Sequence, residues 1–338
     1  MEKTLVETEG IPLMQGLCPE PPQDDPLAVE ENEWKRVISA GPEREAFLAG
    51  TIISLSGWRR IFAPDLDEES KESRINPLAA VFSAAAATSF SRRLRQSQGG
   101  AAQVTVAMDT RPTGCAIAYN VIRALLAQRT AVRWLSVSAA PEALSFTANS
   151  PDVDGLIYIT ASHNPVGHNG FKFAAADGGV LSCEESERLK NDFLAFFSSA
   201  DNLERLRQSI LALDSIEIRK VYGSTGRYKK KALSRYREFT TTVVTGRDNA
   251  LEACRELESL RERILETPIG VVAELNGSAR TCSIDAEFLG SLGVRVKLLN
   301  SEPGRIAHTI LPEGEALLPC CRALEEEAAR DRSFELGY

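Results

Sequence analysis

The 338-residue sequence has no apolar run long enough to cross a bilayer, so a helical membrane protein is not expected. Its opening residues, MEKTLVETEG, lack the basic and apolar regions of a secretory leader, and a cytoplasmic location is expected. Cysteine is present seven times but never as a C-x-x-C pair, which argues against a disulfide framework or a structural zinc site. Reduced, mostly buried thiols are the expectation. An excess of positive charge is also missing, because the formal net charge is −8. Residues 1–33 hold nine acidic side chains against Lys3 alone, so the rest of the chain is close to neutral. Nothing in the charge balance calls for a nucleic-acid partner.

What is present suits a globular protein. Hydrophobic residues make up 43% of the chain, and the length suggests about two domains. The acidic, Pro-containing start (CPEPPQDDP) predicts a loosely ordered extension. From residue 103 onward, short β-branched runs alternate with helical spacing. QVTVAMD, AVRWLSVS and DGLIYITAS predict strands; CAIAYNVIRALLAQ and PEALSFTANS predict helices. Strands apolar throughout point to a mixed, mostly parallel sheet covered by helices on both faces, a three-layer α/β/α domain. Ser182 with Glu185 three residues later predicts a capping box at the next helix.

The stretch RKVYGSTGRYKKKALSRYREF is basic and carries Tyr222, Tyr228 and Tyr236. It could stack nucleic-acid bases, but charge runs usually form solvated faces, and a solvated helical connector is expected. Such a charge could also draw in an anionic, phosphorylated ligand. A second alternating unit begins at PIGVVAEL and runs through VRVKLLN, a helix interrupted by Pro319, and a strand beginning at FELGY. The expected organisation is an extension (1–47), a first domain (48–215), a connector (216–266) and an incomplete second α/β domain of the same type (267–338).

One loop gathers most of the chemistry. In YITASHNPVGHNG an apolar strand ends in Ser162, His163, Asn164 and Pro165, and Gly167, His168, Gly170 and Lys172 follow. Ligands of open α/β sheets collect beyond the carboxyl ends of strands, which is where Ser162 falls. A serine hydrolase is disfavoured because no G-x-S-x-G elbow exists. A metal site on His163 and His168 lacks carboxylate or Cys companions. A serine that carries a phosphoryl group, splitting one transfer into two steps, remains open, as does a polar turn of ordinary turn formers. SLSGWR supplies Ser56, Gly57 and Arg59 for a phosphate, and DTRPTG places Arg111 at another strand end.

Taken in order, SLSGWR, DTRPTG, TASHNP and NGFK resemble the motifs of the α-D-phosphohexomutase family, from roughly residue 50 to the end. The resemblance implies an isomerase that moves a phosphoryl group between the 1- and 6-positions of a hexose, glucose or mannose. It implies Ser162 as the phosphoserine, with His163, Lys172 and Arg59 as catalytic groups and Lys172 assisting proton transfer. It implies Ser56, Gly57, Asn164 and Arg111 as phosphate-binding positions, Mg²⁺ on the Ser162 phosphate, and a hexose 1,6-bisphosphate intermediate. The implied partner is a small phosphosugar, with no membrane and no nucleic acid.

The sequence also departs from that pattern. The family's D-G-D-x-D-R metal loop is not found; DLD at 65–67 and DVD at 152–154 lack its third Asp and its Arg. A chain truncated before that loop, with little unaided activity, is the expectation. The alternatives are a non-catalytic phosphosugar- or partner-binding remnant, or a separate chain supplying the missing domains. Ser54 and Leu55 stand where the family has Gly and Thr, and Ser54 would strain the turn if its φ were positive.

Overall fold

The structure is a computed structural model, which describes residues 31–311 and 313–338. Two short helices, α1 (Glu31–Ser39) and α2 (Gly41–Ala49), lead into a hairpin of β1 (Ile52–Ser54) and β2 (Gly57–Ile61). Then come α3 (Pro77–Gln98), β3 (Gln103–Met108), α4 (Gly114–Ala127), β4 (Ala131–Val137), α5 (Ala140–Ala148), β5 (Gly155–Ile159) and β6 (His168–Ala175). These strands form one six-stranded sheet in the order β1-β2-β6-β5-β3-β4.

The alternation of side chains along each strand builds two layers around that sheet. Ile157 and Ile159 of β5 join the larger core with Val104, Val106, Phe82 and Phe193. Leu156 and Tyr158, their neighbours, face the opposite core with Phe146, Tyr228 and Ala232. In the larger core the Trp58 ring lies 4.7 Å from Phe193, and Phe82 lies 5.0 Å from Phe193. Cutting one such buried Phe to Ala costs about 3–5 kcal/mol.

Helices α6 (Cys183–Ser198), α7 (Ala200–Leu211), α8 (Ser215–Gly223), α9 (Thr225–Thr245) and α10 (Ala250–Glu266) follow. The capping box of α6 is present: Ser182 Oγ accepts from Glu185 N at 3.2 Å, and Ser182 N donates to Glu185 Oε2 at 3.0 Å. Beyond α10 lie β7 (Gly270–Glu274), α11 (Asp285–Ser291), β8 (Arg295–Leu299), α12 (Leu318–Arg330) and β9 (Phe334–Gly337). Strand β7 sits between β8 and β9 and runs parallel to both.

Several expectations change. The first sheet is mixed, but among its described pairings β1/β2, β2/β6 and β5/β6 are antiparallel and only β3/β4 and β3/β5 are parallel. The stretch after Ser162 that reads as a loop therefore becomes a strand at His168. Residues 31–49 are helical, and Trp34, Val37 and Phe47 enter the main core, so the expected boundary at residue 47 falls inside α2. The start of the acidic segment lies outside the described residues.

Pro319 opens α12, where its missing N–H costs nothing, instead of interrupting a helix. The basic connector is solvated on one side only. Tyr222 and Tyr228 are buried, which removes them as stacking platforms, and Lys229 forms a buried ion pair with Glu142 of α5 at 2.7 Å. Cys183, Cys254 and Cys321 are exposed, against the expectation of mostly buried thiols. Cys115 is disulfide-bonded, because pairing depends on proximity in space and not on spacing along the chain. No helix among the described residues is long and apolar enough to cross a membrane.

Candidate active site

Strand β5 ends at Ile159, and the backbone turns sharply through Ser162, whose φ is +58°. That left-handed conformation costs a non-glycine residue about 1 kcal/mol or more and persists only when the surroundings impose it. Here they do. Ser162 N donates to Thr160 Oγ1 at 3.0 Å, and Thr160 Oγ1 donates to Asp109 Oδ2 at 2.6 Å. Arg111 Nη2 donates to the carbonyls of Ser162 (2.9 Å) and Asn164 (2.6 Å), while Nη1 donates to those of His168 (2.9 Å) and Pro165.

Arg111 is held in turn by Asp109, whose Oδ2 lies 3.3 Å from Nε. Asp109 Oδ1 accepts from Arg111 N at 3.0 Å. The Arg111 side chain is 2% exposed. Burial pushes the Asp109 carboxyl up, and the neighbouring Arg111 and the Thr160 hydroxyl pull it back down. Both guanidinium nitrogens Nη1 and Nη2 are spent on the loop backbone. Arg111 is therefore the residue that shapes the serine turn.

Two glycines close the other side. Gly170 pairs with Arg59 across β6 and β2. A side chain at Gly170 would place Cβ 1.7 Å from Trp58 O, so only glycine lets β2 approach. Gly57 has φ +138°, and a Cβ there would lie 2.9 Å from Phe171 O and 3.3 Å from Lys172 Cγ. The Asn-Gly before Lys172 is thus a device for bringing the Arg59 strand beside the Lys172 strand. Lys172 itself is opposite Tyr158 in the β5/β6 register, and both line the cavity described below. Ser54 is not among the residues of positive φ, so its replacement of Gly carries no strain; its Oγ donates to Gly57 O at 3.0 Å.

A cavity of about 670 Å³ opens in front of this turn. Its first wall comes from the six-stranded sheet: Asp109, Thr110, Arg111, Tyr158, Thr160, Ser162 and Lys172. Its second wall comes from the smaller sheet, with Glu274 at the end of β7, Asn276, Arg280 and His308. The C-terminal ends of β3, β5 and β7 therefore face one space. The structure brings Ser162, Lys172 and Arg111 together there. Gly57 borders Lys172.

The remaining candidates fall elsewhere. His163 is exposed beside Ser162, with Nδ1 3.5 Å from its Oγ, the outer limit of a hydrogen bond. The Asn164 amide donates back to Ala161 O at 2.7 Å. Arg59 lies half-buried in β2. Burial chiefly lowers the His168 imidazole, and the charges of Arg111 and Arg59 push the same way. Ser56 sits at the hairpin tip, in a separate shallow groove with Ser186, Glu187 and Lys190. Thr160, Glu274 and His308 were not singled out from sequence. The strand-end rule that flags Ser162 would also have flagged Glu274.

Residues 66–196 match the family model described as phosphoglucomutase/phosphomannomutase, alpha/beta/alpha domain I. That stretch matches domain I of the α-D-phosphohexomutase family.

The chain is 36% identical over 110 residues to a phosphoglucosamine mutase of Lactobacillus helveticus, covering 32% of this chain and 24% of that protein. It is 39% identical over 89 residues to one from Ligilactobacillus salivarius, covering 26% and 20%. The alignments thus span about a quarter of these relatives or less. A crystal structure described as a putative phosphomannomutase from Thermus thermophilus shares the fold with a TM-score of 0.51 at 20% identity, over 81% of this chain and 52% of that one.

Phosphohexomutases are metal-dependent. Mg²⁺ asks for a near-octahedral set of oxygens. Among the described residues no group of three or more His, Cys, Asp or Glu gathers for a metal. The Asp109 carboxylate that faces the cavity is already committed to Arg111 and Thr160. A Ser162 phosphate would offer oxygens, but these residues alone do not complete the ion's shell.

Proposed function

We propose that this chain is a phosphohexomutase-type phosphotransferase in which Ser162 carries the phosphoryl group. The observation that supports this most directly is the turn itself. Ser162 is exposed, strained and fixed by the buried Arg111, on the rim of a cavity that also receives Lys172. A carrier serine needs that combination: an accessible Oγ and a backbone that does not relax when the phosphate leaves. Phosphoryl transfer is mostly positioning and charge neutralisation. The Lys172 ammonium supplies charge near the transferred group and, by family resemblance, assists the proton transfer.

In the forward step the free hydroxyl of a hexose monophosphate attacks the Ser162 phosphorus and gives up its proton, the P–Oγ bond breaks and Oγ takes up a proton, and the sugar becomes a 1,6-bisphosphate. Reorientation lets Ser162 recover a phosphoryl group from the other end. Glucose, mannose and glucosamine phosphates all belong to the substrate class; the relatives named above act on the last. Incubation with glucose 1,6-bisphosphate, followed by intact-mass and peptide mapping, tests the reading. One added phosphoryl group on Ser162, absent in Ser162→Ala and removed by phosphatase, is expected. A chain that gains no phosphoryl group, or gains it on another residue, would overturn the proposal.

A further inference from the structure

The second wall of the cavity contains an arrangement that the phosphoserine reading does not use. Residues 302–311 run along the second wall of the cavity without regular structure. Ile306, His308 and Ile310 line the cavity and are half-buried, Ala307 and Thr309 are exposed and do not line it, and the exposed Leu311 lines its edge. The arm reaches the first domain: a Cβ built on Gly304 would lie 3.7 Å from Thr110 O, next to Arg111.

This arm hangs from the end of β7. Asn276 Oδ1 accepts from Ala307 N (2.8 Å) and His308 N (3.2 Å), and Asn276 Nδ2 donates to His308 O (3.1 Å). His308 Nε2 lies 2.9 Å from Glu274 Oε2, and Nδ1 lies 2.9 Å from Thr309 O. Both ring nitrogens thus have a polar partner. Glu274 has a 9% exposed side chain, and its Oε1 accepts from Asn276 N (3.0 Å) and Asn300 Nδ2 (2.7 Å). Glu274 is therefore largely buried, with a partner on each carboxylate oxygen. Neither nitrogen of His308 is free for a substrate, so this pair is not acid–base machinery.

We infer that Glu274 and His308 are positioning residues that clasp the 302–311 arm over the cavity and keep water from the Ser162 phosphate. The inference rests on the phosphoserine reading above. A phosphoserine exposed to water is lost by hydrolysis: water attacks phosphorus, the P–Oγ bond breaks, inorganic phosphate leaves and Oγ regains a proton. An arm that shuts the mouth favours transfer to a sugar hydroxyl over that loss.

The test uses the full chain, phosphorylated with glucose 1,6-bisphosphate, as wild type, Glu274→Gln and His308→Gln. Release of inorganic phosphate without sugar should be about tenfold faster in both variants, the factor expected for losing one charge-assisted hydrogen bond. Equal release rates would overturn the inference. Amide exchange at Ala307 and His308 in the unphosphorylated proteins provides the second measurement. Faster exchange at these two amides in the variants, beyond that of the core amides, is expected; unchanged exchange would sink the clasp. If wild type never accepts a phosphoryl group, the carrier reading and the hydrolysis consequence both fail, and the exchange measurement still decides the clasp.

Discussion

The two walls of the cavity are built on different principles. The first is fixed by a buried guanidinium that holds four backbone carbonyls and is anchored by its own carboxylate. The second is an irregular arm suspended from one amide side chain and one His–Glu pair. A transferred group needs a platform that does not move, whereas a substrate needs a door. Under the proposed reading, the six-stranded sheet would hold the carrier and the smaller sheet the gate.

The contrast can be broken from either side. The largest effect is expected for Arg111→Met. It removes every Arg111 bond to the serine turn and leaves Asp109 buried without its partner, at a cost of about 3–5 kcal/mol. Urea unfolding followed by circular dichroism would show it, and a loss under about 1 kcal/mol would mean that the turn holds without Arg111. Gly170→Ala comes next. With Cβ 1.7 Å from Trp58 O, β2 must separate from β6, at about 1–3 kcal/mol. Asn276→Ala, on the other wall, should cost only about 1–2 kcal/mol for its lost bonds. Its main mark should be faster amide exchange confined to the arm. An Asn276→Ala penalty as large as that of Arg111→Met would erase the distinction between the walls.

The parts of the molecule that were readable in the sequence share a physical feature: their local pattern and their tertiary role agree. Strands β3, β4 and β5 are apolar on both faces because helices cover both. Ser182 and Glu185 cap α6 through contacts that span one turn. Where the pattern misleads, distant partners decide. Strand β6 opens with His168, Asn169 and Gly170, a turn-like composition. Yet Asn169 is fully buried, with its amide on Thr113 Oγ1 at 3.0 Å, and Gly170 is dictated by Trp58. Helix α3 shows no stripe because Ala79 to Ala87 are buried on nearly every side; Ser83 and Thr88 return their hydroxyls to Ala79 O (2.7 Å) and Ala84 O (2.8 Å). At the site, Ser162 and Lys172 could be picked from motifs. The loop-holding role of Arg111 could not, because its acceptors are carbonyls more than fifty residues away.

The smallest expected effect concerns His168, which sits at the seam between β6 and the serine turn. Burial and the charges of Arg111 and Arg59 lower its imidazole, and Glu68, 3.8 Å away, only partly offsets them. The fold thus prefers the neutral ring. As pH falls through the ordinary histidine value of about 6.5, the unfolded chain takes up the proton first, so stability is present above that pH and declines below it. His168→Gln should remove this part of the acid sensitivity while leaving stability near about pH 8 almost unchanged. Parallel urea titrations of the two proteins from about pH 8 to about pH 5 measure the difference. Because His168 O is one of the four carbonyls held by Arg111, the acid loss should also appear as faster amide exchange around Ser162 and not in the 302–311 arm. Exchange that rises in the arm instead would place the acid-sensitive hinge on the second wall, and the proposed division between fixed platform and moving door would have to be reversed.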